Sequence, residues 1–81
     1  MSIDQLKEIK QQFSDIQNKI VETIHSKNSE VEITINGNIQ ITELKIKKDL
    51  PPNLLESLLK ETINTGIKTV SEKITSAIYL L

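Results

Sequence analysis

The sequence predicts an α+β fold: a helix, an antiparallel β-hairpin with a bulged second strand, and a long second helix, all in one domain spanning residues 1–81. Three observations carry this prediction. Apolar residues recur at spacings of three and four within residues 1–26 and again within 51–81, the periodicity of a helix buried on one face. Between them, residues 31–47 alternate apolar and polar, the periodicity of a half-buried strand. Pro51 and Pro52 then separate the alternating segment from the second helical one.

The first helix is expected to start at Ser2, a good N-cap with Gln5 three residues on. Leu6, Ile9, Phe13, Ile16, Ile20 and Ile24 fall within about 80° of one another at 100° per residue, a narrow apolar seam. "HSKNSE", residues 25–30, is a polar breaker cluster expected to end that helix after nearly 40 Å, at roughly 1.5 Å per residue.

Val31, Ile33, Ile35, Ile39 and Ile41 are apolar at odd positions, whereas Leu44 and Ile46 continue on even ones. "NG" at Asn36–Gly37 marks the turn. A two-residue loop would set Ile33 opposite Gln40, whereas a three-residue loop containing a glycine bulge keeps the apolar residues of both strands on one face. The change of phase near Thr42–Glu43 calls for one extra residue, a β-bulge that returns Leu44 and Ile46 to the core side. The sheet is thus expected to hold two to three strands, the third arising where the bulge divides the second. Its other face carries Glu32, Thr34, Gln40, Lys45 and Lys47 and is wet.

The second helix opens either with proline in its first turn or with a capping box of Asn53 and Glu56. Leu59, Ile63, Ile67, Val70, Ile74, Ala77, Ile78 and Leu81 share one face within about 100°. Gly66 lies at the edge of this stripe, where a missing side chain permits close backbone approach.

A chain of 81 residues builds one small core. At this size a monomer buries only about 60–65% of the surface of its unfolded chain, and a small sheet with one apolar face leaves its edges open. A symmetric dimer sharing one core satisfies both seams, with Ile33, Ile35, Ile41, Leu44, Ile46, Ile63, Ile67 and Val70 at its interface. The alternative is a monomeric domain whose helices simply cover the sheet. There is no cysteine, no apolar leader and no run of membrane-spanning length, so a cytoplasmic protein with no membrane contact is expected.

The order of elements, "VEITINGN" with Leu44-Lys45-Ile46 after it, and Ile63-Asn64 with Gly66 inside a Leu-rich helix together resemble the YbaB/EbfC family of bacterial nucleoid-associated proteins. The resemblance spans essentially the whole chain. It implies an intertwined homodimer with helices projecting from a central sheet. It also implies binding to double-stranded DNA with little sequence preference, at the nucleoid.

Phosphate neutralisation by cations is the main term in such binding. The charge available is balanced, ten Lys against eleven Asp plus Glu, with no Arg. Bidentate guanine readout is mostly an arginine contact, so sequence-specific recognition is not expected. Lys45, Lys47 and Lys48 are the first candidates for DNA contact, followed by Lys68 and Lys73 on the second helix and Lys7 and Lys10 near the start of the first. From the residues alone, the plainer reading of any one of these lysines is ordinary solvated charge. Asp4, Glu8, Asp15 and Glu22 line the face of the first helix opposite its seam and would repel phosphate. A scaffold dimer that meets a protein partner on that acidic face is the alternative to a DNA-binding dimer.

Catalysis has little to work with. His25 is the only histidine and is expected to sit at the end of the first helix, where its charge suits the helix dipole. No Cys or second His completes a transition-metal site, and Gly37 and Gly66 stand alone rather than in a phosphate loop. No enzyme activity, metal or cofactor is expected.

Overall fold

The computed structural model describes residues 2–80. The elements run α1 (Ile3–Lys19), β1 (Val21–His25), β2 (Val31–Asn36), β3 (Ile41–Ile46) and α2 (Pro52–Tyr79). The three strands form one antiparallel sheet in the order β1-β2-β3. The expected α+β order is present. Leu81, the last residue of the predicted stripe, lies outside the described residues.

The Ser2 cap forms as its residues predict: the Gln5 amide donates to Ser2 Oγ at 3.1 Å, and the Ser2 amide donates to Gln5 Oε1 at 2.9 Å. The far end of the helix differs from the expectation. α1 stops at Lys19, Ile20 adopts an extended conformation (φ −91°, ψ 120°), and Val21–His25 is a strand. Residues 20–26 are therefore not helical, and α1 is about 26 Å long at 1.5 Å per residue. The reason is local as well as tertiary. Ile20, Val21, Thr23 and Ile24 are β-branched, which narrows their side-chain freedom in a helix, and β2 offers five paired positions from Val21↔Asn36 to His25↔Glu32. "HSKNSE" is consequently a hairpin turn between β1 and β2. Glu30 organises it, accepting from Ser26 Oγ and the Asn28 amide, each at 3.0 Å, while the Val31 amide donates to Ser26 Oγ at 3.0 Å.

The β2–β3 hairpin closes with the Asn36 amide donating to the Gln40 carbonyl at 3.0 Å, leaving a three-residue loop, Gly37–Ile39. The Asn36 side-chain oxygen accepts from the amides of Asn38 and Gln40 at 2.9 and 3.1 Å. The left-handed position in this loop belongs to Ile39 (φ 58°) and not to the glycine. Gly37 is needed for another reason. Its amide donates to the Ile20 carbonyl at 2.9 Å, and a Cβ there would collide with the backbone of Gln17. The tip of the hairpin thus seats directly on the end of α1.

The expected bulge is present. Thr34 pairs with Glu43 and Ile35 with Ile41, so Thr42 is the extra residue, and its hydroxyl donates to the Thr34 carbonyl at 3.3 Å. β3 remains one strand through the bulge, and the third strand of the sheet is β1 instead. At α2 the proline route holds, with Pro51 as N-cap, Pro52 as the first helical residue and no side-chain cap.

The core is Val31, Ile33, Ile35 and Val70, all fully buried. α2 lies over β1 and β2. Gly66 makes this approach possible, since a Cβ there would meet Ile33 Cδ1 at 3.0 Å and Ile24 Cγ1 at 3.5 Å. The buried residues of α2 are Thr62, Gly66 and Val70, whose mean direction lies about 60° around the helix from the centre of its apolar stripe. The helix therefore rests on one edge of that stripe, leaving Ile67 and Ile78 exposed. β3 is bare as well: Ile41, Leu44 and Ile46, on the core side of the sheet, are 40%, 45% and 47% exposed. α1 contributes no buried residue, and Leu6, Ile9 and Phe13 of its seam remain exposed.

The chain is correspondingly extended, 56 × 19 × 16 Å with a radius of gyration of 16.2 Å, against about 12 Å for a compact domain of this length. It exposes 5955 Å², roughly 1,000 Å² more than the about 4,900 Å² of a typical folded monomer of 9.2 kDa.

Candidate nucleic-acid interface

The wet face of the sheet gathers the first candidates. Successive side chains along a strand point to opposite faces, so Glu43 and Lys45 of β3 share a side with Glu32 and Thr34 of β2 and with Thr23 and His25 of β1. Lys45 lies directly across from Glu32. Lys47, just past β3, brings its Nζ to 3.3 Å from Glu32 Oε2, and His25 Nδ1 lies 3.6 Å from Glu32 Oε1. The Glu32 carboxyl is held below its ordinary range, first by the Lys47 hydrogen bond and then by the charges of Lys47, His25 and Lys45, with partial burial opposing them.

Lys48 faces the neighbouring acid. The Glu30 carboxyl is also lowered, first by its own backbone amide, then by the Ser26 hydroxyl, the Asn28 amide and the charge of Lys48, again against partial burial. The structure thus brings Lys45, Lys47 and Lys48 together at one end of the sheet, interleaved with Glu30 and Glu32.

The remaining candidates are dispersed. Lys73 of α2 pairs with Glu22, which occupies the core side of β1 next to Ile24. Lys68 on α2 and Lys7 and Lys10 on α1 are exposed, and among the described residues they form no ion pair. Glu22 leaves the acidic face of α1, which keeps Asp4, Glu8 and Asp15.

His25 and Glu32 join this surface although the sequence placed His25 at a helix end. The local signal for a strand here was the β-branched cluster Ile20, Val21, Thr23 and Ile24, since Glu22 on the core side and Val21 on the wet side break the alternation. Of the predicted interface residues, Ile33, Ile35 and Val70 are already covered within the chain. Ile41, Leu44, Ile46 and Ile67 are exposed, and Ile63 is half-buried.

Among the described residues no cluster of three His, Cys, Asp or Glu could hold a metal ion, and no helix is long and apolar enough to cross a membrane. A concavity of about 450 Å³ beside Thr69, Lys73 and Ala77 is an open groove along α2.

The same overall fold recurs in the crystal structure of the uncharacterized protein HP0035 from Helicobacter pylori. That structure matches 95% of this chain and 94% of its own with a TM-score of 0.78, at 22% identity. No curated protein matches the chain. The model of the YbaB/EbfC DNA-binding family matches residues 2–79. The chain belongs to the YbaB/EbfC family. The family is a DNA-binding one rather than a family of enzymes, and the match takes in every element from the Ser2 cap to the end of α2.

Proposed function

We propose that the protein is a homodimer that binds duplex DNA through backbone phosphates with little sequence preference, as a nucleoid-associated protein of the cytoplasm. Membership of a DNA-binding family is the observation that carries this reading. The absence of arginine supports the lack of sequence preference, because lysines supply point charges and not a bidentate fork for guanine. The uncovered face of β3, the displaced stripe of α2 and the excess of exposed surface support the dimer. About 800 Å² per partner is the usual extent of a stable interface, and the surplus is of that order.

Titrating a mixed-sequence duplex at several salt concentrations tests the binding. The affinity is expected to fall linearly on a log–log plot, with a shallower slope after Lys45, Lys47 and Lys48 are replaced by Gln. Sedimentation of the free protein tests the pair, and a monomer at micromolar concentration would overturn it.

A second reading has its own support in the interleaving of Glu30 and Glu32 with the sheet lysines, which lowers the net charge offered to phosphate. In that reading the protein is a scaffold dimer, and the face of α1 bearing Asp4, Glu8 and Asp15 meets a basic protein partner. Absence of duplex binding at low salt would favour it.

A further inference from the structure

One carboxylate on the wet face stands among three basic side chains, each on a defined side of it. Glu32 sits on the central strand; His25 approaches Oε1 from β1, Lys47 approaches Oε2, and Lys45 stands across from it on β3. The other charge on this face is Glu43, opposite Thr34, and Lys27 lies in the turn that follows His25. With the imidazole neutral, Lys45 and Lys47 cancel Glu32 and Glu43. These four charges then sum to zero.

We propose that the wet face of the sheet is a phosphate-binding surface held closed by Glu32 and opened by protonation of His25. The inference rests on the reading that the sheet lysines meet DNA, and it adds a regulator to that site. An imidazolium at His25 pairs with Glu32 Oε1 and raises the charge of the face by about one per chain. Lys47 keeps the other oxygen, Oε2, so the imidazolium adds its charge to the face without displacing the lysine. Histidine is the side chain suited to this role, since imidazoles charge in roughly the pH 5–8 range.

The test is a duplex titration at pH 7.5 and pH 5.5 over a range of salt, with sedimentation run in parallel to fix the assembly state. One added phosphate contact steepens the log–log slope by about 0.9 and, at 0.1 M salt, tightens binding roughly eightfold. A dimer gains up to two such contacts. The wild-type protein is therefore expected to bind roughly eight- to sixtyfold more tightly at the lower pH.

His25→Gln should remove most of this gain, and Glu32→Gln should bind at pH 7.5 about as tightly as the wild type does at pH 5.5. An unchanged pH response in His25→Gln would overturn the gate while leaving DNA binding intact. Absence of binding at both pH values would instead overturn the DNA reading itself, and the gate with it. Both single variants keep the size of the side chain they replace at partly solvated positions, and a melting curve for each confirms that it is folded.

Discussion

β2 and β3 are neighbouring strands of six residues each, both rich in β-branched and apolar side chains, yet their environments are opposite. Val31, Ile33 and Ile35 are sealed from water, whereas Ile41, Leu44 and Ile46, on the same side of the same sheet, are open to it. Strand composition does not separate them; position under α2 does. The helix rests over β1 and β2 with Gly66 against Ile33, Ile24 and Ile35, and its own stripe is turned partly aside. The chain has made one face with two halves: one completed by its own helix, the other left open to solvent.

The largest effect should come from the sealed half. Ile33→Ala removes a fully buried side chain and is expected to destabilise the fold by about 2–5 kcal/mol, read from denaturant melts at any protein concentration. Leu44→Ala is the counterpart on the open half. At high dilution it should shift stability by under about 1 kcal/mol, while at tens of micromolar it should lower the apparent stability and the sedimentation mass together. Equal, concentration-independent losses for the two variants would erase the distinction between the halves.

Gly37→Ala probes the junction of hairpin and α1. Its Cβ meets the backbone of Gln17 and not a flexible side-chain tip, so a loss of about 1–3 kcal/mol is expected.

Acid should act through Glu30 and Glu32. Both carboxyls titrate lower in the folded chain than their ordinary value, so the stability they contribute is present above the unfolded value of about 4.3 and is lost as pH falls through the folded one. The melting temperature is expected to fall on acidification below about pH 4.5, and less so in Glu32→Gln. The smallest effect should be a gain. Ile39→Gly relieves a β-branched residue at φ 58° and should stabilise the hairpin by up to about 1 kcal/mol.

Much of this arrangement was legible in the residues. The alternation from Val31 to Ile46 located the hairpin, its change of phase located the bulge at Thr42, and the parity of the apolar positions set the loop at three residues. β1 was not legible, for a physical reason. Its core side holds Glu22 beside Ile24 and its wet side holds Val21, so alternation is scrambled, while Ile16, Ile20 and Ile24 keep a helical spacing. The ion pair with Lys73 compensates Glu22 on that side, and a partner some fifty residues away leaves no local trace. The misplacement carried over to the site. Lys45 and Lys47 could be assigned to the wet face from β3 alone, but the approach of His25 to Glu32 depends on the β1 register.

The seating of Gly37 on the end of α1 has a mechanical consequence. The helix is clamped at its carboxyl end and buries no residue along its length, so it behaves as a stalk whose free end is steered from its base. In a lone subunit its amide protons should exchange with solvent well before those at the centre of α2. Any slowing of that exchange on assembly would report how far along the stalk a twin subunit reaches.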